Sequence, residues 1–238
     1  MRFPFQQFLQ ASRTRQALPQ PLRERIRKLP SRRRMRRAAR QPLTLTRFVA
    51  LDLETTGPRM LVDRIISVGA IGVFAGAARH ADAFEAVVRQ ANSSGNDNIL
   101  IHQIGGQQQL AGAEPCEALL QFLEYLGDSV AVAFRAEFDA TVLERELRTC
   151  LGIRLRTRFL DLASILPALF PWEGNDSLDD WAAHFSLPQI GRHDAIADAY
   201  ANAQLLMLAL DQARRHGIET TAGLFDLERA QRWLGRRR

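Results

Sequence analysis

An apolar run that ends in two acids, FVALDLETTG at Phe48–Gly57, leaves this chain few ways to fold. Five of its first six residues are apolar, which reads as a buried strand. Asp52 and Glu54 stand one residue apart near its end, so on a strand both point to the same face. Like charges that close repel, and one carboxyl is driven to take up a proton unless something positive lies between them.

A chain of 238 residues at 46% hydrophobic can bury a real core, as one large domain or as a domain with an arm. The longest apolar runs, such as LLMLAL, fall far short of the ~18 residues of a membrane helix, so no membrane partner is expected. The start, MRFPFQQFLQASRTRQ, has no apolar core segment and no small-residue cleavage site, so no secretory signal is expected. Cys116 and Cys150 make neither a metal spacing nor a disulfide framework, which fits a reducing, cytoplasmic setting.

The charge is unevenly spread. Residues 1–40 hold 13 Lys or Arg and one acid, Glu24, a net of +12. The whole chain is +6, so residues 41–238 carry −6. RERIRKLPSRRRMRRAAR within this arm is the kind of block that contacts nucleic acid, or else a solvated, partly helical tail. The composition shift sets a boundary near residue 45. The expected organisation is an arm at 1–45, partly helical or disordered, a domain at 46–216, and a C-terminal helix at 217–238 packed on or trailing it.

Beyond the arm, strands and helices alternate. RFVALDLE, DRIISVGAIGVF, RHADAFEAVV and SVAVAFR read as strands. EPCEALLQFLEYLGD, EFDATVLERELRTCL and SLDDWAAHFSL read as helices, the last opened by a Ser177 cap. TRFLDLASILPALF begins as a strand and becomes a helix. DAIADAYANAQLLMLALDQARRHG is a long helix stopped at Gly217, and TTAGLFDLERAQRWLG a final one. Residues 90–112, rich in Gly, Asn, Ser and Gln, read as a long loop with a short apolar insert. The pattern is that of an α/β domain around a mixed sheet.

The acids then collect at one place. Asp52 and Glu54 end the first strand, Asp139 opens a helix after an apolar strand, and Asp198 lies in the first turns of the long helix. Strand ends and helix starts converge on one edge of such a sheet. Three or four carboxylates gathered there are costly unless a divalent cation neutralises them, and oxygen-only donors favour Mg²⁺ or Mn²⁺ over Zn²⁺. His193 lies five residues before Asp198, about 140° away on a regular helix. To share a site with Asp198 it must sit in the loop before the helix, where an imidazole suits a general base.

LDLETTG, EFD and HDAIAD resemble, in order and spacing, the three motifs of the DEDDh 3′–5′ exonucleases, a superfamily that includes the proofreading epsilon subunit of bacterial DNA polymerase III. The resemblance runs from about Arg47 to Leu210. It implies a ribonuclease-H-like fold, a mixed five-stranded sheet flanked by helices. It implies two Mg²⁺ or Mn²⁺ ions held by Asp52, Glu54, Asp139 and Asp198, with His193 as general base, and no small-molecule organic cofactor. The implied reaction is two-metal hydrolysis from the 3′ end of single-stranded nucleic acid, with DNA favoured over RNA, to nucleoside 5′-monophosphates. Thr55, Thr56, His102, Ile104 and Phe138 fall where the terminal nucleotide binds in the family. The implied partners are single-stranded DNA or RNA 3′ ends, and a DNA polymerase is a further candidate.

The chain departs from the family pattern in places. Phe134 and Arg135 stand where many relatives have His-Asn, and Gln103 stands in a glycine position. Two other readings stay open: a nucleic-acid- or polymerase-binding module whose catalysis is weak, and an oligoribonuclease-like enzyme on short RNA.

Overall fold

The computed structural model describes every residue except 1–10, 12, 173, 175, 176, 189–192 and 236–238, so the first ten residues of the arm and the segment just before His193 lie outside it. A five-stranded sheet in the order β3-β2-β1-β4-β5 forms the centre. Its strands are β1 (Arg47–Thr55), β2 (Ile65–Phe74), β3 (Ala77–Val87), β4 (Val130–Ala133) and β5 (Phe159–Asp161). β1 pairs antiparallel with β2 and parallel with β4, so the sheet is mixed, as the resemblance implies. The central place of β1 explains its near-continuous apolar run, since a strand covered on both faces cannot alternate with water.

Two cores cover the two faces. Val49, Leu51 and Leu53 pack under α5 (Pro115–Leu126) and α6 (Glu137–Leu151). Phe48 and Ala50 pack on the other face, under α7 (Leu162–Leu169), α8 (Leu178–His184), the long α9 (Ala195–Arg215) and α10 (Thr221–Gly235). Among the described residues no helix is long and apolar enough to cross a membrane.

The basic arm is folded onto the domain. α1 (Gln20–Lys28) buries Ile26 in the first core, and Ala39 and Leu43, beyond α2 (Arg32–Ala38), enter the second. Arg25 holds Glu117 and Glu124 of α5 at 2.7 Å each. At the arm's end, Leu43 N–H donates to the Glu219 carbonyl (2.9 Å) and Thr221 N–H to the Gln41 carbonyl (3.0 Å).

The segment 90–112 differs from the expected loop. It forms two short helices, α3 (Asn96–His102) and α4 (Gly106–Ala111). Gln109 is fully buried between them, accepting Ser94 N–H and donating to Ser94 Oγ and the Ile104 carbonyl. A buried amide with its partners supplied replaces the apolar periodicity that was absent from the sequence.

Candidate active site

Asp52 and Glu54 continue the face of β1 that Phe48 and Ala50 occupy, the face covered by α9. Asp52 pairs with Gly69 across the β1–β2 ladder. A Cβ at Gly69 would lie 2.1 Å from the Ala195 backbone, so the missing side chain lets the first turn of α9 rest directly on the sheet. Asp194 caps that helix, accepting the N–H groups of Ile196 (3.0 Å) and Ala197 (3.3 Å). Asp198 follows one turn on. Another turn on, buried Asn202 donates from Nδ2 to the Leu51 carbonyl at 3.0 Å, locking α9 to β1. His193 stands before the cap with φ +56°, outside the helix and exposed.

Asp139 reaches the same edge from the opposite layer, in the first turn of α6. The turn into that helix carries Arg135 at φ +56° and is held by Asp161 at the end of β5. Asp161 accepts from Ala136 N–H (3.3 Å), Ala163 N–H (3.2 Å) and Ser164 Oγ (2.6 Å), and Arg232 of α10 approaches it at 3.4 Å.

Ligand atoms of Glu54, His193 and Asp198 all lie within 4.8 Å of one another. Among the described residues, Asp52 and Asp139 do not join that group at the same distance, but they share its electrostatics. Burial pushes Asp52 well above the usual carboxylate range, and the charges of Asp139, Glu54 and Asp198 add to the shift. Burial, then Asp198 and Asp194, lift Glu54 to about 7. Burial lifts Asp139 to about 7 as well, against the pull of the N–H groups of Asp139 and Leu53. Carboxyls that repel one another and hold protons near neutrality, beside an imidazole, have the donor chemistry of a divalent metal centre.

The other predicted residues are placed as follows. The Thr55 hydroxyl donates to the Gly57 carbonyl (2.7 Å), and that of Thr56 donates to Asp63 (3.2 Å), so both are committed to the β1–β2 loop. His102 is only 2% exposed; its Nδ1 accepts Ile104 N–H at 3.0 Å, and burial lowers its pKa. It therefore staples its own loop. Gln103, in the glycine position, takes φ +55° at the end of α3. Phe138 is half-buried against the α6 core. Leu61 on the β1–β2 loop is 75% exposed and Leu100 on α3 is 78% exposed, and α3 is tied to the end of β1 by Asn98 Nδ2 donating to the Thr55 carbonyl at 2.9 Å.

Sequence reasoning missed Gly69, Asn202 and Asp161. A glycine inside an otherwise apolar strand was the available signal for the first. An acid closing β5 just before a helix was the signal for the third.

A sequence profile of the family described as Exonuclease (RNase T) matches residues 49–206. The PolC-type DNA polymerase III of Thermotoga maritima is 28% identical over 172 residues, 72% of this chain but 12% of that one. The DNA polymerase III subunit epsilon of Treponema pallidum is 29% identical over 159 residues, 64% of this chain and 71% of that one. The chain thus spans only a small part of the PolC-type relatives it matches. In fold, Escherichia coli exonuclease I, solved with a dT13 oligonucleotide, superposes with TM-score 0.61 at 18% identity, over 71% of this chain and 42% of that one. Cell-death related nuclease 4 gives 0.62 at 16% identity, over 71% and 64%. The match over residues 49–206, well over half of the chain, makes it a member of the exonuclease family.

Proposed function

We propose that this chain is a metal-dependent 3′–5′ exonuclease that releases nucleoside 5′-monophosphates from single-stranded nucleic acid. The observation that carries the reading is the convergence of Glu54, His193 and Asp198 within 4.8 Å, at the edge where Asp52 and Asp139 also end. Asp52, Glu54, Asp139 and Asp198 would hold two Mg²⁺ or Mn²⁺ ions. Bound there, the ions would neutralise the carboxylates and the scissile phosphate and make water a better nucleophile. His193, free of the helix and open to solvent, would accept a proton from the attacking water on its imidazole and pass it on. Leu61 and Leu100 would pack against the terminal bases. His102 and Ile104 would hold the α3 loop in shape, the hydroxyls of Thr55 and Thr56 the β1–β2 loop, and Phe138 would border the cleft. Residues 46–216 would carry the chemistry, with 1–45 and 217–238 supporting it.

The test uses a 5′-labelled single-stranded DNA and its RNA counterpart on a sequencing gel, with Mn²⁺, with chelator, and with His193→Ala. A ladder shortening from the 3′ end, lost with chelator and with the variant, is expected. Intact substrate in every lane refutes the reading.

A further inference from the structure

The arm's charge is displayed on a folded surface. Arg32, Arg33, Arg36, Arg37 and Arg40 are exposed on and just after α2 and take no acidic partner among the described residues. The α6–β5 connection extends that surface. Its Ile153–Thr157 stretch lines a small cleft together with Ile26, Pro30 and Met35, and Arg156 donates to the Pro30 carbonyl at 3.3 Å. Arg154, Arg156 and Arg158 alternate along this stretch and are exposed. Arg158 lies over the Phe225 ring at 3.4 Å. Burial lowers its pKa, and the repulsion of nearby Arg229 and Arg40 adds to this, against the pull of Glu228 and Asp226. The arm and the connection therefore meet in one basic face beside α10, whose Arg229 and Arg232 pair with Asp226, Glu228 and Asp161.

This face lies at the end of the sheet opposite the acids, because β4 and β5 run parallel to β1 and Arg158 precedes β5. A groove of about 1030 Å³ runs along α6 between the two ends and touches the basic face at Arg158; Glu137, Glu144 and Glu228 lie among its arginines. It follows α6 from Ala136 and Glu137 beside the site to Arg148 and Thr149 at the far end, with Arg158 and Arg232 on its other wall. The 15 residues of α6 span about 22 Å at 1.5 Å per residue.

We infer that a single strand whose 3′ end occupies the acidic site runs back along the α6 groove and lays its 5′-side phosphates on this basic face. The inference rests on the exonuclease reading for the strand's direction. It resolves an electrostatic conflict, since residues 41–238 are net −6 and attract a polyanion poorly, while the folded arm supplies cations. At about 3.4 Å per phosphate of a stacked strand, ~22 Å is spanned by roughly six nucleotides. Shorter oligonucleotides do not reach the face.

The test is fluorescence anisotropy of 5′-labelled dT20 and dT3 in EDTA across a salt series, with the full chain and with the triple variant Arg36→Glu/Arg40→Glu/Arg154→Glu. These side chains are exposed, and unchanged circular dichroism and Tm verify the fold; Arg→Gln at the same positions is the milder second variant. Losing three phosphate contacts lowers the log–log salt slope for dT20 by about 2, at ~0.7 per contact on a single strand. Binding of dT20 weakens at least ~10-fold at low salt, and dT3 is unaffected. Arg79→Glu, on the remote edge strand β3, leaves both unchanged. Unaltered dT20 binding in the triple variant overturns the inference and leaves the face to an acidic protein. Equal weakening of dT3 and dT20 also overturns it, because the effect is then one of net charge. Cleavage with Mn²⁺ is read separately: no cleavage of either oligonucleotide sinks the exonuclease reading, while the EDTA binding still judges the face.

Discussion

Asp139→Asn is expected to stabilise the metal-free protein while disabling it. Asp139 is 5% exposed and its carboxyl holds a proton up to about 7, against an ordinary value of 3.8. At about 1.4 kcal/mol per decade, ionising it in the folded protein costs roughly 4 kcal/mol more than in the unfolded chain. Relaxation and proton uptake by Asp52 and Glu54 recover part of this, leaving about 2–4 kcal/mol. The sign follows from linkage: the folded state binds the proton more tightly, so the opposition to folding is absent below the unfolded value and complete above about 7. Asparagine is neutral throughout and keeps an acceptor for the Leu53 N–H. Thermal unfolding in EDTA at pH 8 should therefore place the variant roughly 5–15 °C above the parent, for a chain of this size. At pH 5 the gap should shrink by more than half. Adding Mn²⁺ should raise the parent and barely move the variant, because the ion binds only the folded, ionised cluster. A variant no more stable than the parent in EDTA at pH 8 refutes the electrostatic account. Equal stabilisation of both by Mn²⁺ removes Asp139 from the metal site.

Gly69→Ala puts a Cβ into the Ala195 backbone, so the start of α9 must shift; about 1–3 kcal/mol of stability in a denaturant melt should go, and cleavage should fall further than stability does. Asn202→Ala removes the bond to the Leu51 carbonyl and should lower Mn²⁺ affinity about 10-fold or more in a calorimetric titration, while a loss of stability alone would deny it a positioning role. Gln103→Gly relieves a left-handed residue and should gain up to ~1 kcal/mol by chemical denaturation; a loss there would mean the Gln103 side chain is needed. Arg25→Ala breaks two half-exposed ion pairs and should cost only ~0.5–1 kcal/mol, yet speed tryptic release of the arm; unchanged proteolysis would show that Ile26 and the apolar contacts hold α1 unaided.

Some of this was written locally and some was not. The nine-residue, mostly apolar β1 and the helical periods of α6 (15 residues) and α9 (21 residues) are local patterns, enough to locate these elements together with Asp52, Glu54, Asp139 and Asp198 on them. α3 and α4 have seven and six residues, too short for a period to emerge, and Gln109 is instead tied to Ser94 and to the Ile104 carbonyl within the same segment. The arm was legible as charge alone. That Ile26, Ala39 and Leu43 would bury depended on a sheet built from residues far along the chain, so the arm is part of the core as well as a store of charge.

The motifs alone were sufficient for the family and the type of sheet, and they singled out Asp52, Glu54, Asp139 and Asp198 as the proposed ligands. Metal chemistry demands particular side chains at strand ends and helix starts, and those are local features. Tertiary structure decided which acids come within 4.8 Å, that Gly69 seats α9, and that the arm's arginines share a face with Arg158. Each of these depends on how two distant segments approach in space. That distance is set by packing volume and sheet register, and no local pattern of residues encodes it.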